Sequence, residues 1–421
     1  MINLLKNKGI LIFLLILFLH VSLRFYELEK RSVFGWDQVI NAWTAKDILI
    51  DHKLPLVGMQ AKLNSGFYIG PLYSYINSLL YFFTKLDPIA APIFAGLVSI
   101  FSYFVLFFVI KNIFSEKVAL VAVFINTVAF YTISLDRIPW PVNFIVPLSS
   151  LILFSLYKII NGNVKYLLLL SLCLGLSLHV HFTSVFYFPI IILSLPFFPR
   201  NKKTLKYLFF SFPIFLILIF PIIIHEVVSK ASSSKGVAVY LGTYSHGFHL
   251  RRFLQIAKDA FIEVDSILDL VSFMKITKYF LFPFFIFIYF REKFNKKKLI
   301  VCFLMVLWLL IPWISFSIYS GEISNYYFSI TRPIILMVLS FLFISLFFNK
   351  WKSLRYIGIL LLVLYAGVNV SHYLNLRQRG MEETRREALQ IIKSGKKIKF
   401  AEGDPNSFFY FIYKQCDFCR K

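Results

Sequence analysis

Val33-Phe34-Gly35-Trp36-Asp37-Gln38-Val39-Ile40-Asn41-Ala42-Trp43 follows a hydrophobic segment, residues 9–23, and precedes a long series of others. It sets an acid, Asp37, among aromatic residues at the point where the chain should leave a bilayer. Read as the first outer loop of a membrane protein, this stretch organises the rest of the chain. Runs of about 17 to 25 apolar residues recur along the sequence, the length that bilayer-spanning helices need. Of 421 residues, 58% are hydrophobic and 16% charged, more apolar and less charged than a soluble domain. The expected fold class is all-α: a polytopic bundle of about eleven to thirteen spans.

Residues 24–66 are too polar to span and are expected to form the first outer loop. Within them Val39, Trp43 and Ile50 recur at helical spacing, with Lys46 and Asp47 between, as in an amphipathic interfacial helix ended by Pro55. Apolar segments follow at 68–84, 88–110, 118–135, 142–157, 166–180, 185–198, 205–224, 273–290, 299–319, 330–348 and 354–369. The loops 111–117, 158–165, 200–206, 291–298 and 350–355 carry sixteen Lys or Arg, whereas 136–141, 181–184 and 320–329 carry one, Arg137. The basic set is therefore assigned to the cytoplasm and the other set to the outside. The net charge of +24 has the same origin; no nucleic-acid motif accompanies it. With the N-terminus inside, one of the segments 68–84 and 88–110 cannot cross, and 68–84, with Gly70-Pro71, is the better candidate. Lys6 and Lys8 precede the first run without a small-residue cleavage site after it, so it reads as a retained helix.

Two further parts are polar. The long loop 226–272 holds an amphipathic stretch with Phe253, Ile256, Ala257, Phe261, Val264, Ile267, Leu268 and Val271 on one face, read as a second interfacial helix. The tail 371–421, beyond a transmembrane domain of 1–370, reads as a charged helix over 381–393, a short strand over 397–401 and a helical turn near 408–413. Cys416 and Cys419 cannot complete a four-ligand zinc site alone; outside the cell they suit a local disulfide. Cys173 and Cys302 lie inside apolar segments.

Ionisable groups beside apolar helices are costly and point to function. Asp37, Lys62, Asp136, Arg137, His179, His181, Glu322 and Arg332 all fall at outer ends. Asp37 precedes a helix, so a helix cap and a catalytic base are both open, and compatible. Asp136-Arg137-Ile138-Pro139-Trp140-Pro141 is a rigid turn. It serves either as an interfacial anchor or as a phosphate grip through the planar fork of Arg137, with Asp136 as the salt-bridge partner of Arg137. Lys62 is either a solvated charge or a second phosphate contact. His179 and His181, two apart, are poorly spaced for one metal, and no metal site is expected; His246 and His249 are weaker candidates still. No nucleotide or nucleophile-elbow motif occurs.

Gly35-Trp36-Asp37-Gln38, then Gly70-Pro71-Leu72-Tyr73, then the turn from Asp136 to Asn143, then Gly175-Leu176-Ser177-Leu178-His179-Val180-His181-Phe182-Thr183 together carry a resemblance. In this order they resemble the polytopic GT-C glycosyltransferases, specifically the family 39-like group of protein O-mannosyltransferases and lipid A aminoarabinose transferases. The resemblance extends to the region of Arg200. It implies a polyprenyl-phosphate-linked sugar donor, an extracytoplasmic site at the cell membrane and inversion at the anomeric carbon. It implies Asp37 as the base and Arg137 on the phosphate; Lys62 joins them as a phosphate contact by position alone, and no cofactor is expected. Trp36, Gln38, Tyr68, Tyr73, Asp136, His179 and His181 would line the substrate cavity. Many members carry two adjacent acids where this chain has Asp37-Gln38, which leaves one carboxylate for base work. The acceptor would be a lipid, glycan or protein hydroxyl. Two rivals stand beside this reading. A lipid-linked sugar flippase or other transporter would need polar groups at mid-membrane. A surface-glycan polymerase or ligase would use the late outer loop, with Arg251 and Arg252.

Overall fold

The computed structural model describes residues 8–62, 65–245, 247–260, 262–268, 278–291, 295–376, 379–398 and 400–420. Among these the chain is helical, and β pairing is limited to two isolated bridges, Gln60 with Tyr68 and Ser245 with Tyr319. Seven helices among the described residues are long and apolar enough to cross a bilayer: Lys8–Phe25, Ala90–Ile113, Pro141–Ile160, Lys202–Val228, Lys296–Ile318, Asn325–Phe347 and Lys352–Asn375. Glu116–Val128 and Phe130–Asp136, bent by 71°, make an eighth if they count as one span. Tyr166–Ser177, Phe182–Phe197 and Phe280–Arg291 are apolar but shorter. Together these are eleven apolar segments, an odd number. The chain is a multi-pass membrane protein.

The segment 68–84 contains the helix Leu72–Phe83, 12 residues long. At about 1.5 Å per residue it rises roughly 18 Å, against a hydrocarbon core of about 30 Å. It packs instead on the loop helix Trp36–Leu49 and on Ala90–Ile113. The first loop therefore connects to the far end of the bundle through a single long helix, which removes the parity conflict between 68–84 and 88–110. Small residues seat that helix: Gly96 lies so close to Phe25 that a Cβ there would fall 2.5 Å from the ring.

The break at Ala129 frees main-chain groups inside the bundle, where water cannot satisfy them. Arg24 donates to the carbonyls of Thr127 and Asn126 at 2.5 and 2.9 Å. The Thr132 hydroxyl donates to Asn126 O, and Asn369 accepts the Phe130 N–H at 2.8 Å. Arg24 is itself neutralised by Asp136 at 2.8 Å, and Ser99 donates to the same carboxylate at 3.0 Å. Arg24, not the neighbouring Arg137, is thus the ion-pair partner of Asp136.

The amphipathic part of the long loop packs its apolar face on the bundle. It forms helices Leu250–Ala260 and Ile262–Ile267. Ile256, Val264, Ile267 and Leu268 are buried in the main core. Glu263 is fully buried and paired with Arg332 at 2.8 Å. His246, Phe261, Val271, residues 273–277 of the expected segment and the side chain of Ala257 lie outside the described residues.

The tail folds back on the first loop. Met381–Lys393 is a helix, as expected, and Pro405–Tyr410 is another. The expected strand over 397–401 is not formed: the chain on both sides of Lys399 is irregular, and Lys399 itself lies outside the described residues. Met381, Phe408 and Phe409 share a core with Phe34, Val39, Ala42 and Tyr81. Arg385 bonds Asp87, Glu29 and Tyr413. Cys416 and Cys419 are disulfide-bonded. The tail and the first loop therefore form one small cap on the end of the bundle that carries Asp37.

Candidate active site

Gly35, in extended backbone, is the cap of the helix Trp36–Leu49. Its N–H donates to Gln38 Oε1 at 3.1 Å, and Gln38 Nε2 donates to Pro139 O at 3.2 Å. Gln38 is thus a buried tie between the first loop and the turn 136–141. Asp37 is not the cap. It sits in the first helical turn, and its carboxylate has no hydrogen bond or ion pair among the described residues. Burial raises its carboxyl above the ordinary carboxylate range.

Asp37 stands between two cavities. The inner one, about 200 Å³, is lined by Asp37, Gln60, Lys62, Trp140, His181 and Tyr326, among others. The outer one, about 850 Å³, is bounded by Trp36, Asp37, Asp47, Gln60, Tyr68 and Glu402, among others. Asp37, Met59 and Gln60 belong to both walls.

Lys62 reaches the inner cavity from the first loop. Its Nζ donates to Tyr319 Oη at 3.0 Å and to the Glu322 carbonyl at 3.3 Å. Burial alone would lower this amine, but the Tyr319 hydroxyl and nearby negative groups outweigh it and the net shift is upward. The amine stays charged. Beyond Tyr319 a groove of about 580 Å³ is lined by His249, Arg251 and Arg252, among others.

The two histidines divide. His181 Nδ1 faces the Thr183 N–H at 3.3 Å and the Thr183 hydroxyl at 2.9 Å, which leaves Nε2 for the cavity. Burial pushes this ring down to about 3, so it is neutral. His179 Nδ1 accepts the Leu72 N–H at 3.3 Å, which assigns the proton to Nε2, facing Leu218 O at 2.9 Å. A Cβ on Gly70 would fall 2.0 Å from His179 Nδ1. His179 therefore fixes the Gly70-Pro71 turn and lines neither cavity. Tyr73 is likewise buried, against Phe94.

Arg137 departs furthest from expectation. Nη1 donates to the carbonyls of Leu23, Arg24 and Tyr26, and Nη2 to those of Glu27 and Leu28. The guanidinium closes the C-terminal end of the first helix, where unpaired carbonyls gather and a cation is favoured. It is buried away from both cavities, and burial lowers its affinity for a proton. A phosphate grip is not what these surroundings provide. Asp136, held by Arg24 and Ser99, is also absent from the cavity walls.

The sequence reading missed Met59, Gln60, Tyr319, Tyr326 and Tyr327. The outer segment 320–329, free of Lys and Arg but holding adjacent tyrosines, carried a signal for the last two. Trp140 packs at a tilt on Tyr326, 4.7 Å between centroids, and its indole N–H donates to Asn143 Oδ1 at 2.7 Å. Among the described residues no group of three or more His, Cys, Asp or Glu converges on a point that could hold a metal.

A protein-family model described as dolichyl-phosphate-mannose-protein mannosyltransferase matches residues 69–225. That span includes His181 and excludes Asp37 and Lys62. No curated protein matches the chain in sequence. Among solved structures, apo ArnT from Cupriavidus metallidurans aligns with TM-score 0.61 and 10% identity, over 94% of this chain and 83% of that one. The same enzyme bound to undecaprenyl phosphate gives 0.58, over 94% and 74%. The Archaeoglobus fulgidus oligosaccharyltransferase, apo, gives 0.58 at 11% identity, over 93% of this chain and 58% of its own. The chain has the fold of the GT-C glycosyltransferases, the group its sequence resembles.

Proposed function

We propose, on the premise of this fold, that the chain is an inverting glycosyltransferase that moves a sugar from a polyprenyl-phosphate donor to an acceptor hydroxyl, with Asp37 as the base. One observation carries the reading: the half-buried Asp37, free of a countercharge, borders two adjoining cavities, an inner one with Lys62 in its wall and an outer one where Asp47 and Glu402 outnumber Lys53. The donor head group occupies the inner cavity, with its phosphate at Lys62 and Tyr319; the acceptor enters through the outer one. The acceptor O–H proton passes to an Asp37 oxygen as the acceptor oxygen attacks the anomeric carbon. The bond to the phosphate oxygen breaks on the opposite side, and its electron pair leaves with polyprenyl phosphate. Lys62 stabilises the charge that grows there. The Nε2–H of His181 and the hydroxyl of Tyr326 are placed to hold sugar hydroxyls. Arg137 acts only by fixing the first loop; the groove with Arg251 and Arg252 extends the basic surface beyond Tyr319.

The site is assigned to the outer face of the cell membrane. The distribution of Lys and Arg and the Cys416–Cys419 disulfide both favour that side. The bilayer lipids and the lipid-linked donor are the partners this requires.

The test is transfer in proteoliposomes, with the sugar identified by mass spectrometry of surface glycans from a deletion strain. Asp37→Asn should abolish transfer while the protein inserts and elutes as a folded species. Full transfer by that variant sinks the assignment.

A further inference from the structure

The outer cavity has a construction that the transfer step does not require. Trp36 lies at its edge with 52% of its surface exposed. One face of the indole rests on Gly403, where a Cβ would fall 2.2 Å from the ring. Gly403 has φ +78°, the left-handed region that glycine tolerates. The next residue, Asp404, holds the turn in place by accepting the N–H groups of Asn406 and Ser407 at 3.1 and 3.2 Å. The tail thus props a large aromatic plate from behind and leaves its other face open. Beside the plate stand Glu402, with no ion-pair partner among the described residues, and Asp47.

We infer that this cavity is a carbohydrate-acceptor site, taking a neutral sugar ring stacked on the open face of Trp36 with its hydroxyls bonded to Glu402 and Asp47. The inference rests on the transferase reading and names the acceptor class for it. A pyranose presents axial C–H bonds on one face and hydroxyls around its rim. An indole plate offers dispersion and C–H contact to the former, and carboxylates accept hydrogen bonds from the latter.

The charges select among acceptors. Asp37, Asp47 and Glu402 against the single Lys53 disfavour a phosphorylated or acidic acceptor. A cationic peptide fits less well than a sugar. Asp47 already meets Lys46 at 3.2 Å, and Lys53 meets Asp51 at 3.3 Å, so the negative field is divided rather than concentrated. A propped aromatic plate is also of little use to a lysine-rich chain.

The experiment measures binding, not transfer. The full-length protein in nanodiscs, free of sugar detergents, is titrated with linear oligomers of glucose, N-acetylglucosamine and mannose, with oligogalacturonate and oligolysine as charged comparators. At least one neutral oligomer should saturate binding. Trp36→Ala should weaken it about tenfold, and Glu402→Gln about threefold, the loss of one stacked ring and of one charge-assisted bond. Trp36→Phe should keep most of the affinity, which separates a lost plate from a misfolded cap. The titration is run without donor and reads binding alone, so a failure of the transferase assignment shows in the transfer assay and leaves this readout intact. The inference is overturned if no neutral oligomer saturates, if Trp36→Ala binds as well as the parent, or if oligolysine binds and Glu402→Gln abolishes it.

Discussion

Asp37 and Arg137 exchange the clarity they had in sequence. Asp37, which could have been a cap, leaves that place to Gly35 and faces open space. As a base it works only when ionised. Burial raises its carboxyl, so transfer should fall as pH drops through a value above the ordinary carboxylate pKa of about 3.9. The acid limb of kcat/KM against pH reads this. The same shift has a stability sign. A folded-state pKa above the unfolded value contributes stability that is present below the unfolded pKa and lost as pH rises through the folded one. At neutral pH the ionised group is then a local cost, and Asp37→Asn should leave Tm unchanged or raised while transfer disappears. A lower Tm would point to a structural role instead. Arg137→Met, in contrast, should destabilise the protein by about 3 kcal/mol, because five carbonyls at the end of the first helix lose a charged donor. Lys62→Gln should do the reverse, keeping Tm and weakening donor binding by roughly tenfold, the scale of one charge-assisted contact. Thermal unfolding and polyprenyl-phosphate titration of the two variants separate them.

Long apolar runs predict helices, although the run 118–135 breaks at Ala129 with a bend of 71°, and short elements that pack on a neighbour are predicted less well. Leu72–Phe83 has the composition of a span but not the length. Periodicity marks the two loop helices as interfacial, but periodicity alone does not say what covers the apolar face. For Leu250–Ala260 and Ile262–Ile267 the cover is the bundle itself, since Glu263 is inserted against Arg332, Tyr131 and Ser329. Removing one partner strands the other in a buried place. Glu263→Gln should therefore cost about 3 to 5 kcal/mol, and Glu263→Leu combined with Arg332→Met distinctly less than either single change. Unfolding midpoints of Glu263→Gln, Glu263→Leu, Arg332→Met and the double variant decide it. If the double variant is the least stable, the pair adds net stability and the loop is anchored by charge.

At the scale of the molecule, the eleven apolar segments among the described residues and the alternation of basic loops predict one orientation. In a background without native thiols, a cysteine at Glu322 should react with an impermeant maleimide on intact cells. One at Asn163 should react only after permeabilisation. The opposite pattern would invert the bundle and place Asp37 in the cytoplasm. The ordered motifs around Asp37, Gly70, Arg137 and His181 carried the resemblance to the GT-C group; long apolar runs and loop charge were enough to predict the helical membrane class. These are properties of neighbours along the chain, and bilayer thickness and loop charge act on them directly. The roles of single charged residues were not available there. Arg137 is engaged by carbonyls about 110 residues away, Arg24 by Asp136, and Trp36 is backed by Gly403 from the far end of the chain. In a medium without water, a charged or polar group takes the partner nearest in space. Which group is nearest, and which is left facing a cavity, depends on how the helices pack.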